Sequence, residues 1–149
     1  MKTPLRIVLL SALVVTTANA GDKPADLVKY RQQIMKAMGA HMSAISLISK
    51  GQVADRGQVA AHAEAIRALS HELPDLFPAD SGPDKTRTAA MKEIWQRWND
   101  FKSIAAKLEK SSAALAAEKR AGASRNAAFD AVGAQCNACH KEFRQKDQD

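Results

Sequence analysis
Apolar residues recur along this chain at helical intervals, and no segment sustains the alternation of a half-buried strand. Between Pro24 and Ser49, residues Leu27, Tyr30, Ile34, Met38, Ile45 and Ile48 fall at spacings of three and four or their sums, predicting one long amphipathic helix. Pro24 suits its first turn, and Lys50-Gly51 supplies the stop, a cation followed by a residue free to turn left-handed. A second helix is predicted from Arg56 to Glu72, with Asp55 as its cap and Val59, Ala63, Ile66 and Leu69 on its buried stripe. Pro74 ends it, and Pro74 to Thr86 reads as a loop, with Leu73, Leu76 and Phe77 tucked against the core. Helix three is predicted from Thr88 to Glu118, with a break near Ser111-Ser112, and its apolar face runs from Met91 through Trp95, Trp98 and Phe101 to Leu115. After Ala121-Gly122, Ser124 caps a fourth helix from Arg125 to Arg144 through Phe129, Val132 and Phe143. Four helices joined by three connections make an all-α, antiparallel four-helix bundle the economical architecture.

The first twenty residues depart from this pattern. Lys2 and Arg6 precede an apolar run from Ile7 to Val15, and Ala18-Asn19-Ala20 follows, which reads as a secretory signal peptide with cleavage before Gly21. The apolar run is too short to span a bilayer, and no later stretch is long or apolar enough to serve as a membrane anchor. The expected organisation is a signal over residues 1–20 and one helical domain over 21–149, exported to a bacterial periplasm. Loss of Lys2 and Arg6 lowers the formal charge from +6 to +4, a modest basic excess that suits an acidic redox partner protein rather than nucleic acid. Apolar residues make up 46% of the chain, enough to build a core.

Chemistry concentrates near the C-terminus. The only two cysteines stand at Cys136 and Cys139 and are followed directly by His140, giving C-x-x-C-H. This is the spacing of covalent c-type haem attachment, in which each thiol adds across a haem vinyl group and the adjacent imidazole ligates the iron. A thioredoxin-like dithiol expects a βαβ setting that this pattern lacks. A structural zinc site wants four ligands, whereas His41, His62 and His71 are scattered singly. A plain disulfide here would close too short a loop to stabilise a fold much. On a helix, positions 136, 139 and 140 share one face, so one surface carries both thioethers and the iron ligand. Arg144 falls one turn further on, either near a propionate or as a solvated cation at the helix end. Gly133, three residues before Cys136, marks a place where a bulky group can approach the backbone.

The sixth iron position has to come from another helix. Met35, Met38 and Met42 lie within two turns of helix one, and their alternative role is core filling. Arg31 sits one turn before Met35 on an otherwise apolar face, where it wants an anionic partner such as a propionate. His41 lies about 240° round the helix from Met35 and faces away from that site. His62 and His71 read as surface residues, and Trp95 and Trp98 as core or haem-packing aromatics.

Together these stretches resemble the class II cytochrome c family, which contains cytochrome c prime and its low-spin relative cytochrome c-556. The likeness is carried by Tyr30-Arg31-Gln32-Gln33-Ile34-Met35-Lys36, Leu76-Phe77-Pro78, Glu93-Ile94-Trp95, and Val132-Gly133 through Cys136-Asn137-Ala138-Cys139-His140 to Phe143-Arg144. The resemblance implies one haem c held by Cys136 and Cys139, His140 as proximal iron ligand, and Arg31 and Arg144 as basic positions near the haem. Met35 then matches the residue on the open distal side, which ligates in low-spin members and only shields the iron in high-spin ones. The resemblance thus implies an electron carrier with His140/Met35 coordination, or alternatively a five-coordinate protein that binds NO or CO; the residues themselves show no paired carboxylates, nucleophile constellation or phosphate loop, so an enzyme is not expected. It also implies a homodimer formed through the first two helices.

Overall fold
The computed structural model describes residues 23–146, so the signal-peptide reading lies outside the described residues. Its long helices are α1 (Pro24–Ser49), α2 (Gln58–His71), α4 (Trp98–Ala117) and α5 (Ala123–Phe143), with a single-turn α3 (Glu93–Gln96) before α4. They form a four-helix bundle, as the periodicity predicts. Two 3-10 turns, Leu73–Leu76 and Ala79–Ser81, carry the chain from α2 towards α3.

The stop of α1 follows the expected chemistry. Gly51 adopts φ 71°, the Gly51 N–H donates to the Ile48 carbonyl, and the Gln52 N–H donates to that of Leu47. These two bonds are the paired closure of a Schellman motif, which satisfies carbonyls that the helix end would otherwise orphan. The two expected caps are displaced. Gly57, with φ 96°, occupies the N-cap of α2, and Asp55 instead accepts from the Gly57 N–H at 2.9 Å. Gly122, with φ 72°, occupies the N-cap of α5, which places Ser124 inside the first turn.

The third predicted helix is cut short at its start, and the break expected at Ser111-Ser112 lies at Arg97 instead, with φ −118° and ψ 45°. The cause is tertiary. Met91 N–H donates to the Phe143 carbonyl and Gln145 N–H to that of Ala89, so an isolated bridge between Ala90 and Arg144 takes backbone groups that a longer helix would have used. Ser111 and Ser112 stay within α4, where the Ser111 hydroxyl donates to the Lys107 carbonyl at 2.9 Å.

The buried face of α1 is Val28, Arg31, Met38, Ile45 and Ile48, so the helix is turned from the stripe read through Leu27 and Tyr30; Tyr30 is 55% exposed. That rotation points Arg31, Met35 and Met42 inward. The core is completed by Val59, Ala63 and Ile66 of α2, Phe101, Leu108 and Leu115 of α4, and Val132 and Phe143 of α5. Helix α5 is anchored at both ends. Arg125 pairs with Asp55 beside the α1–α2 connection, and Arg97 donates to Glu142 at 2.7 Å where the backbone bridge to Ala90 begins.

Candidate functional site
Helices α1 and α5 contact each other only sparsely, and between them opens a cavity of about 730 Å³. Cys136, Cys139, His140 and Arg144 border it from α5, and Arg31, Met35, Met38 and Met42 from α1. All eight side chains considered for the cofactor therefore line one space. Its floor is aromatic. Phe77 and Phe101 meet edge to face at 4.8 Å, and Phe143 stands against Phe101 at 5.6 Å and 85°. Trp98 stacks behind Phe101, while the Trp95 indole N–H donates to the Phe77 and Pro78 carbonyls; neither tryptophan borders the cavity.

The donor set suits a covalently held haem. The volume falls within the roughly 300–1,000 Å³ usual for cofactor pockets, and the walls are mostly apolar. Gly133 belongs to the wall, and a Cβ there would point towards Met42, whose terminal methyl is its nearest neighbour at 3.9 Å. Burial raises the Cys136 thiol above its ordinary range and, with Cys136 and Glu142 nearby, pushes Cys139 up to about 11. Both sulfurs therefore stay as thiols at neutral pH, unlike the electropositive, thiolate-favouring setting of a redox dithiol. His140 exposes part of its ring and turns the rest to the cavity. Partial desolvation, with Arg144 as the smaller cause, lowers its pKa, which keeps the imidazole neutral and its lone pair available. Among the described residues, no group of three or more His, Cys, Asp or Glu is placed to hold a metal ion.

Arg31 is buried, and its surroundings differ from the anionic ones that its sequence position invites. Its guanidinium donates to the Leu76 carbonyl at 3.1 Å, to both oxygens of Ser81 at 2.9 and 3.3 Å, and to the Thr88 hydroxyl at 2.8 Å. The group also lies 4.4 Å over the Phe77 ring. Burial among neutral acceptors lowers its pKa to about 10, so it remains charged at neutral pH. Arg31 thus clamps the 76–88 loop that forms the cavity's rim. The partners Ser81 and Thr88 were hidden in the sequence, Thr88 because helical spacing absorbed it into helix three. The one available signal was the arginine itself, since a buried guanidinium obliges the chain to supply acceptors.

The histidines are not equally scattered. His41 does face away from the cavity, where it meets a half-buried His62 of α2, while His71 is exposed beside Glu109. Among the described residues, no helix is long and apolar enough to cross a membrane.

Comparison with known proteins gives a consistent picture. The profile of the Cytochrome C' family matches residues 26–144. A cytochrome c' of Pararhodospirillum photometricum is 40% identical over 125 residues, covering 82% of this chain and 98% of that protein. A cytochrome c-556 of Agrobacterium tumefaciens (strain II Chrys) is 40% identical over 124 residues, covering 80% and 97% respectively. The structure of cytochrome c' from Rhodopseudomonas palustris superposes with a TM-score of 0.74 at 33% identity, covering 83% of this chain and 98% of that one.

Proposed function
The chain belongs to the cytochrome c' family, and from that premise we propose that it is an exported haem protein that carries single electrons at an iron held between His140 and Met35. The observation that carries this reading is a cavity bordered both by His140 on α5 and by Met35 on the facing α1. Cys136 and Cys139 would hold one haem c there through thioethers, and the haem would supply the one-electron iron couple. The protein's own residues set the conditions of transfer. His140 donates a neutral nitrogen, Met35 offers a soft thioether, and the aromatic floor keeps water away from one side, all of which bear on the potential. Arg31 holds the rim in shape, and with Arg144 it would place positive charge beside a group bound in the cavity. No substrate is turned over. The signal read at residues 1–20 takes the chain to the periplasm, where redox proteins are its partners, and the exposed Tyr30 and Leu47 of α1 suit a homodimer.

A second reading has its own support. A similar structure, from Alcaligenes xylosoxidans, is a mutant cytochrome c prime in complex with nitric oxide. In that reading Met35 shields an open iron, and NO or CO binds on its side.

The optical spectrum of the purified holoprotein, oxidised and reduced, with and without carbon monoxide, separates the two. A sharp low-spin spectrum indifferent to the gas, converted to a gas-sensitive one by Met35→Ala, is the expected result. A broad spectrum that sharpens with carbon monoxide, or one unchanged by Met35→Ala, overturns His140/Met35 ligation.

A further inference from the structure
Neither His41 nor His62 borders the cavity; they face each other across the α1–α2 contact. Val59, Ala63 and Ile66 dock α2 through the stripe that flanks His62, which brings its ring against that of His41. The two Nδ1 atoms are 2.9 Å apart, the ring centroids 5.1 Å, and the planes are tilted by 47°. Both rings are half-buried and keep an edge towards solvent.

We propose that His41 and His62 form a two-nitrogen binding site for a divalent transition cation of tetragonal preference, Cu(II) above all, independent of the haem cavity. In the metal-free protein one Nδ1 must carry a proton and the other must accept it, because two lone pairs at this distance repel. If that proton moves through solvent to the outer Nε2, both rings remain neutral and two Nδ1 lone pairs face one point, with no net change in protons. Imidazole nitrogen suits Cu, Ni and Zn, and Cu(II) heads the affinity order of divalent first-row ions.

Geometry selects further. At the roughly 2.0–2.1 Å of metal–imidazole bonds, a right-angled pair of nitrogens spans about 2.9 Å and a tetrahedral pair about 3.4 Å. The observed 2.9 Å, a hydrogen-bond distance in the metal-free protein, also matches the edge of a square-planar or tetragonal site, so a small turn of the rings suits that geometry better than a tetrahedral one. The pair supplies two ligands, so water completes the coordination. Such an ion would link α1 to α2 and stabilise the folded chain, since an unfolded chain holds the two rings far apart.

The test is titration of the purified holoprotein with Cu(II), followed by calorimetry and by the electron paramagnetic resonance of the bound copper, with thermal melting by circular dichroism. One Cu(II) per chain is expected, with hyperfine structure from two nitrogens, a raised melting temperature and an unchanged haem spectrum. His41→Gln and His62→Gln should each abolish that site and the melting shift while keeping helical content. His71→Gln should leave both intact, and Zn(II) should bind more weakly. Wild-type binding retained in either His41→Gln or His62→Gln, binding lost through His71→Gln, no stoichiometric Cu(II) in the wild type, or Zn(II) binding more tightly than Cu(II) would each overturn the proposal.

Discussion
The α2–α4 seam and the α1–α5 seam use the same kind of helix to opposite ends. Helices α2 and α4 lie in close contact along their lengths, with Ala63, Ser70, Ala105 and Ser112 small enough to let the backbones approach and Leu115 buried between them, while Ile66 and Leu108 reach from this seam to the cavity wall. Helices α1 and α5 barely touch, and what faces across their gap is long and soft: Met35, Met38 and Met42 against two half-buried cysteines and Gly133. The first seam is finished by its own side chains. The second is shaped for something else to finish it, and it is there that every proposed cofactor contact lies.

The sharpest way to break this contrast is to remove the anchors. Replacing both Cys136 and Cys139 by serine should abolish covalent haem altogether, read as loss of the haem-stained band on a denaturing gel; a persisting band would place the attachment elsewhere. Next in size, Leu115→Ala, fully buried in the closed seam and away from the cavity, should cost about 2–5 kcal/mol of unfolding free energy in denaturant titration of the holoprotein. Met42→Ala in the open seam should cost less, because its terminal methyl already borders the cavity wall. Equal losses would mean that the seams are equally packed.

A smaller effect is expected at the rim. Ser81→Ala takes one acceptor from the buried Arg31 and should destabilise by about 1–3 kcal/mol. A loss near zero would show that the clamp does not depend on that hydroxyl. The smallest concerns the distal anchor of α5. Burial alone would raise the Asp55 carboxyl, yet the backbone N–H groups of Gly57, Val59 and Gln58, together with Arg125, hold it below its ordinary value. The resulting stability is present above the unfolded carboxylate pKa and is lost as pH falls through the depressed folded one. It should amount to at most about 1 kcal/mol, and Asp55→Asn should flatten that part of the acid titration. An unaltered acid profile in the variant would remove the pair from the account.

Much of this contrast is legible in the residues alone. Periodicity places four long helices, Gly51 closes α1 as its chemistry requires, and C-x-x-C-H on one helical face brings both sulfurs and the imidazole to one surface. Where local rules fail, a distant backbone has intervened. Helical spacing carries through Thr88–Lys92, but residues 143 and 145 take hydrogen bonds there, and no local pattern announces a partner more than fifty positions away. The same holds for Arg31, whose burial is suggested by an apolar face but whose four bonds depend on where a proline-rich loop comes to rest. Spacing cannot see His41 and His62 as a pair either, because their meeting depends on the rotation of two helices about each other.

Helix α5 is tied down near Arg125 and again near Glu142 and Arg144, with the cavity beneath the span between. In mechanical terms it is a beam resting on two supports and loaded at mid-span. A change in what presses on Cys136 to His140 is then taken up as a bow of that middle, while both supports keep their place. A chemical event at the loaded point would alter the helix's curvature before it alters the fold.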